Sequence, residues 1–313
     1  MCMSNFVAKV KKSLQKKDTR ENIQYYLMML IPMTLIFVFS YIPLYGIVIA
    51  FQDYFPGSPF IGKDVEWVGL KWFKAFVTSH YFPRILRNTL VLNLMGLLLG
   101  FAVPIIFALI VNEIRSSKFR KFTQTVSYLP HFLSAVIVAG MVSRFISSDG
   151  IITLALQALG FEAKSLNVSK EAFPWIYTIT GIWKSFGWNS IIYLSTLAAI
   201  DPGMYEAATI DGAGRLKRIW YITIPNMMPL IMIQLILSIG GMLGSNTDMI
   251  LLMYNESVYE TADVIGTFVY RETLMNGQFS YGTASGLLMS ILSFILLYIA
   301  NSVSRKYTDF SMW

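Results

Sequence analysis

The chain has 313 residues, 55% of them hydrophobic and only 14% charged, with a mean hydropathy of +0.55; this excludes an ordinary water-soluble domain and points to a membrane protein. A net charge of +7 raises the question of nucleic acid, but the basic residues lie between apolar stretches rather than in one run, which is how cytoplasmic loops of membrane proteins are charged. Cys2 is the sole cysteine, so neither an intramolecular disulfide nor a cysteine metal site can form.

The opening "SNFVAKVKKSLQKKDTREN" sets Phe6, Val7, Val10 and Leu14 on one helical stripe, with Lys9, Lys12, Lys16 and Lys17 elsewhere around it. This predicts a cytoplasmic amphipathic segment over residues 1–25, lying on the inner membrane surface. The apolar stretch that follows is too long for a signal-peptide core and no small-residue cleavage site follows it, so the segment is expected to be retained. Residues 26–313 then form an all-α membrane domain. Six spans are expected, at Tyr26 to Phe51, Asn88 to Asn112, Gln124 to Ile146, Phe173 to Ala198, Met227 to Tyr254 and Tyr281 to Val303. An even number puts both termini on one side. If that side is the cytoplasm it receives the amino-terminal lysines, Arg115, Lys118, Arg120 and Lys121, then Arg215, Lys217 and Arg218, and finally Arg305 and Lys306. The first outer loop departs from this pattern with Lys63, Lys71, Lys74, Arg84 and Arg87. Its turn residues and aromatics, in "DYFPGSPFIGKDVEWVGLKWF", predict short surface helices forming an outer vestibule. No tandem repeat or low-complexity tract is visible, and the Asn-x-Ser matches at Asn167 and Asn255 carry no weight.

In the third span, His131 follows Pro130 and is expected to be a packing histidine, while Arg144 near the outer end either snorkels to the headgroups or contributes to an outer gate. Polar groups inside spans face a cavity or a partner rather than lipid. The fourth and fifth spans carry several, and Trp183, Trp188, Asn189, Ser238 and Asn246 are the candidates for a sugar site: aromatic faces cover the apolar side of a ring while amides and hydroxyls read its hydroxyl groups. Each of these has a packing alternative, such as Ser238 bonding its own preceding turn. Lys184 falls near mid-membrane and is expected either to pair with Asp248 or to attract an acidic sugar such as a uronate, the pair being favoured.

Between those two spans lies an insert of about residues 199–226, containing "EAATIDGAGRLKRIWYITIP". Asp201-Pro202 is a helix start, Asp211-Gly212 a stop, and "AGRLKRIWYITI" begins a second helix leading to Pro225. The short side chains of Ala207 and Ala208 let another protein approach closely, and Glu206 offers a carboxylate to a cationic partner. An interfacial loop would explain each feature singly; the combination is more specific. Glu206-Ala207-Ala208, Gly212, Ile222 and Pro225 resemble the EAA signature of permease subunits from bacterial ATP-binding-cassette importers, with Ile224 where the signature has Leu. The strings "YIPLYGIVIAF", "SYLPHFLSAVIVAG", "LLMYN" and "NGQFSYGTASGL" extend the resemblance to oligosaccharide permeases of the lipoprotein-linked polysaccharide group, and more distantly to maltose permeases.

The resemblance implies that the helix around Glu206 to Ile210 is a cytoplasmic coupling helix, presented by the turn at Asp211-Gly212 to a groove of a separate ATPase. It also implies a second homologous permease, two ATP-binding subunits that hold ATP and Mg, and an extracytoplasmic solute-binding protein, assembled in the bacterial cytoplasmic membrane and working by alternating access. The residues agree on what this chain lacks: it has no G-x-x-x-x-G-K-[ST] loop, and His80 and His131 have no metal or triad spacing. No catalytic residue, metal site or cofactor is expected, and "SIGGM" at Ser238 to Met242 is read as small residues easing helix packing. The rivals are an importer subunit for a non-sugar solute and an ion-coupled secondary transporter using Lys184, Asp248 and His131.

Overall fold

The computed structural model describes residues 17–63, 65–161, 165–244 and 247–307; Phe6 to Leu14 of the opening stripe lie outside them. The regular elements are helical, and the one β contact among the described residues is an isolated bridge between Gln52 and Trp67. Helix α1 (Lys17–Ile36) runs on through a π turn at Phe37–Tyr41 and a 3-10 stretch at Ile42–Phe51. The change of pitch has a local cause: Pro43 has no N–H for the ladder, and the Ile42 N–H reaches back five residues to Phe37.

After a short surface helix, α2 (Lys71–Val77), comes α3 (Phe82–Asn112), which starts at the Pro83 turn, six residues ahead of the expected span. The expected third span is not one helix. Helix α4 (Ser117–Tyr128) tightens into a 3-10 turn at Leu129–Phe132, and α5 (Ala135–Phe145) leaves it at a bend of 97°. Pro130 interrupts the ladder, Leu133 is extended, and the Ser134 hydroxyl accepts from the Ile137 N–H to start the new helix. Helix α6 (Ile151–Ala158) follows, and α7 (Phe173–Ala198) occupies the expected fourth span.

The insert forms α8 (Pro202–Ile210) and then a single long helix, α9 (Arg215–Gly240), so the expected fifth span begins too late and ends too late. Gly240, Gly241 and Gly244 end it, since each glycine costs the helix up to about 1 kcal/mol relative to alanine. Thr247–Met253 is a separate helix, α10. Short helices α11 (Tyr259–Ala262) and α12 (Ile265–Tyr270) lead to the last, α13 (Phe279–Tyr307). Gly240 does ease packing: a Cβ there would sit 2.6 Å from a methyl of Leu297 on α13.

Among the described residues four stretches are long and apolar enough to cross a membrane, Glu21–Phe51, Phe82–Asn112, Arg215–Gly240 and Phe279–Lys306, and the bent α4–α5 pair is so only when its two helices are taken together. Helix α7 is long enough at 26 residues but falls short on composition, because it carries Lys184, Ser185, Asn189 and other polar groups. One side of it packs closely against protein. Gly100 of α3 faces Ile182, the Phe107 and Phe186 rings meet edge to face at 5.1 Å, and Gly187 lies so near the Ser127 carbonyl of α4 that no Cβ fits. By contrast α1 buries none of its apolar window; such a surface suits lipid or another apolar protein surface rather than water.

Three apolar clusters fix the helix ends. Ala108, Tyr193, Leu197 and Met227 join α3, α7 and α9 near α8. Phe76, Ile85, Phe268 and Met289 close the opposite end, and Leu92, Phe173, Ile250 and Val264 lie between α3, α7 and the segment after α9.

Candidate functional site

Helix α8 stands out from the end of the bundle at the junction of α7 and α9. The Asp201 carboxylate accepts from the Gly203 N–H at 2.9 Å, with Pro202 in the first turn. At the other end Gly212 has φ +75°, and the Ala213 N–H bonds back to the Ala208 carbonyl at 2.8 Å. That turn folds the chain back, so that the Tyr205 hydroxyl meets the Thr223 hydroxyl at 3.0 Å and Arg218 donates to Thr209 at 3.1 Å. Arg215 approaches Glu113 at 3.8 Å and so links the loop to the end of α3. Glu206 and Ala207 are exposed, and Glu206 makes no hydrogen bond or ion pair with a described residue. Asp211, Gly212 and Pro225 are also on the surface, while Ala208 and Ile222 are half-buried. Ile210 is 87% exposed and Tyr221 80%, an apolar rim that water alone would not favour.

Pro225 lies inside α9, not ahead of it. The helix absorbs it with a π turn at Ile219–Thr223, in which the Ile224 N–H reaches the Ile219 carbonyl.

A cavity of about 1060 Å³ lies between α3, α7 and α9. Lys184, Trp188 and Asn189 of α7 line it, with Gln234 and Ser238 of α9, Asn93 of α3 and His131. The His131 and Trp188 rings stack at 4.5 Å with 1° between their planes, and Phe132 meets Trp188 edge-on at 5.6 Å. His131 thus packs flat against Trp188. Ser238 donates to the Gln234 carbonyl at 2.7 Å and Ser185 to the Gly181 carbonyl at 2.7 Å, which leaves their oxygens as acceptors. Lys184, Asn189 and Gln234 donate to no described residue, and the buried Thr178 hydroxyl has no partner among the described residues. Trp183 and Asp248 do not line the cavity, and Asn246 lies outside the described residues. The favoured pairing of Lys184 with Asp248 is not made: no ion pair within 4.0 Å joins them, and Asp248 is exposed on α10 beyond the glycine break.

A capped, exposed helix thus stands where two cavity-lining helices meet, and residues 100–309 match the family of binding-protein-dependent transport system inner membrane components. The chain belongs to that family. Among its relatives, the polygalacturonan/rhamnogalacturonan transport system permease protein YteP of Bacillus subtilis is 40% identical over 303 residues, covering 94% of both chains. Protein LplB of the same organism is 39% identical over 283 residues, covering 90% of this chain and 88% of its own. Among solved structures, a bacterial ABC transporter that imports the acidic polysaccharide alginate aligns with TM-score 0.83 and 36% identity over 93% of this chain and 98% of that one. The alginate transporter in complex with its pentasaccharide-bound periplasmic protein aligns equally well, at TM-score 0.83 over 96% of this chain. As a family member, this chain is a multi-pass inner-membrane transport component.

At the end of the bundle away from α8, the family member carries a buried ion cluster that sequence reasoning missed. Asp263 has no exposed side-chain surface; Arg271 binds it through both terminal nitrogens at 3.0 Å, and Arg84 approaches at 3.4 Å. Thr267 donates to it at 2.8 Å, and Asn88 donates to the Glu260 and Asp263 carbonyls. Arg84 and Asp263 are 179 positions apart, so no local pattern announces their contact. Nearby, Lys170 bonds Glu260 at 2.6 Å, and the asparagines of both chance sequons serve the loops: Asn167 donates to the Ser143 carbonyl, and Asn255 donates to the Asn167 carbonyl and caps the turn at Ser257. Arg144 binds Asp149 at 2.9 Å, with both side chains exposed.

Proposed function

We propose that this chain is the permease subunit of an ATP-binding-cassette importer that moves an oligosaccharide inward by alternating access. The observation that carries the reading is α8, a capped and exposed helix whose Glu206 pairs with no described residue, set where the two cavity-lining helices α7 and α9 meet. A push on α8 is a push on both walls of the cavity. The sugar cargo is supported by the names of the relatives, one for polygalacturonan and rhamnogalacturonan and one for alginate, and by the amide and aromatic lining at Asn189, Gln234 and Trp188.

In this reading α4–α5 and α7 join the four apolar stretches to make six spans, and the basic run Arg215, Lys217, Arg218 puts α8 and both termini in the cytoplasm. Glu206, Ala207, Ala208, Asp211 and Gly212 meet the ATPase, which holds ATP and Mg; the chain itself is not an enzyme. A second permease, two ATP-binding subunits and an external solute-binding protein complete the assembly, and the bare face of α1 meets lipid or the second permease.

The test is uptake of labelled galacturonate oligosaccharide into vesicles carrying the whole assembly. Uptake is expected to require ATP inside and to stop when the ATPase nucleotide-loop lysine is replaced. Uptake driven by a proton or sodium gradient with the ATPase subunits omitted would overturn the coupling. ATP-driven uptake of a peptide or amino acid and of no oligosaccharide would keep the coupling and overturn the cargo.

A further inference from the structure

The cavity is electrically one-sided. Among the described residues that line it, Lys184 is the only one with a fixed charge, and no aspartate or glutamate is present to balance it. Lys184 is half-buried, forms no ion pair within 4.0 Å with a described residue, and lies on a helix packed against α3 and α4. A cation held between apolar walls is costly unless a counter-charge arrives. Other groups lining the same cavity are suited to bind a ligand that carries one. Asn189 and Gln234 have amide N–H groups unused by described residues, and Thr178 has an unpartnered hydroxyl that is almost fully buried. Trp188, with one face covered by His131, leaves the other for a ring of the ligand.

We propose that Lys184 is the carboxylate contact of this cavity, its ammonium binding a uronate carboxylate of the passing oligosaccharide and discriminating acidic sugars from neutral ones. The proposal rests on the reading of the cavity as a sugar path and adds the charge class and the residue that reads it. An ammonium can follow a carboxylate through several positions because it donates in three directions without a fixed plane, which suits a ligand in transit better than a rigid fork would.

The experiment uses the purified assembly in lipid discs without the external binding protein, so that selectivity set outside does not mask the cavity. Binding of galacturonate trisaccharide is compared with binding of its fully methyl-esterified form, which has the same rings and no charge. The acid is expected to bind more tightly than the ester. Lys184→Met should weaken the acid about 10- to 100-fold, the range for a lost charge-assisted hydrogen bond, and the ester by no more than about two-fold. Lys184→Arg should recover most of the acid affinity, and raised salt should weaken the acid alone. Unfolding midpoints of both variants check that they fold, with Lys184→Gln as a polar substitute if the methionine variant does not. Equal weakening of acid and ester would make Lys184 a structural partner of another subunit and overturn the proposal, as would no change in either. If the wild-type assembly binds neither probe yet takes up a neutral oligosaccharide, the charge inference fails and the sugar reading stands; if it takes up no oligosaccharide at all, the sugar reading itself fails.

Discussion

Asp263 faces two arginines with none of its side chain in water, and its removal would take the buried counter-charge from both, leaving Arg271 only its longer contact to Glu272 at 3.6 Å. Asp263→Asn is expected to lower stability by about 3–5 kcal/mol, measured by thermal unfolding in detergent, and the double change with Arg271→Met should recover part of that. The Lys170–Glu260 pair is a milder, exposed case. Its hydrogen bond to Lys170 holds the Glu260 carboxyl below the ordinary glutamate value of 4.5, and the same bond to Glu260 holds Lys170 above 10.5. Because the glutamate is lowered, its contribution is complete above the ordinary value and fades as pH falls through the lowered one; because the lysine is raised, its contribution fades only in strong alkali. The midpoint difference between wild type and Glu260→Gln should therefore persist at neutral pH and shrink in acid below the glutamate range. None of these pairings was legible in the sequence, where Arg84 looked like a stray positive charge in an outer loop. The helix that carries Glu206 was legible, because its caps are neighbours in the chain.

The elements follow sequence where local chemistry decides and depart from it where backbone breaks decide. The α8 boundaries come from Asp201, Pro202 and Gly212, all visible beforehand. The bend of 97° between α4 and α5, and the end of α9 at Gly240, sit inside apolar runs that hydropathy treats as continuous. Hydropathy scores side chains, whereas Pro130, Leu133 and the glycine cluster act through the backbone. Close helix crossings make a matched prediction. Gly187→Ala should destabilise by about 1–3 kcal/mol because the Ser127 carbonyl occupies the space, while Gly140→Ala, with open space around it, should be neutral or stabilising by up to about 1 kcal/mol. Unfolding midpoints of the two variants, measured side by side, give the comparison.

For the whole molecule, the consequence is a capped, exposed helix at one end, a cavity in the middle and an ion-paired cluster at the other. Glu206→Lys reverses the charge α8 offers, and Gly212→Val forces a β-branched residue into a left-handed turn at a cost of about 1–3 kcal/mol. Both should abolish ATP-dependent uptake and co-purification of the ATPase while leaving sugar binding by the external protein intact; unimpaired uptake in both would count against α8 as the coupling helix. The sequence by itself determined the all-helical membrane class, the bounds of α8 and the family, because composition, caps and a spaced motif are properties of neighbouring residues. Only the tertiary structure decided which polar residues share a space: that Lys184 stands without Asp248, that His131 packs flat against Trp188, and that Asp263 gathers arginines from distant segments. Those are long-range matters. Charge pairing and ring stacking act over a few ångströms, and which side chains come that close is set by helix packing, not by spacing along the chain.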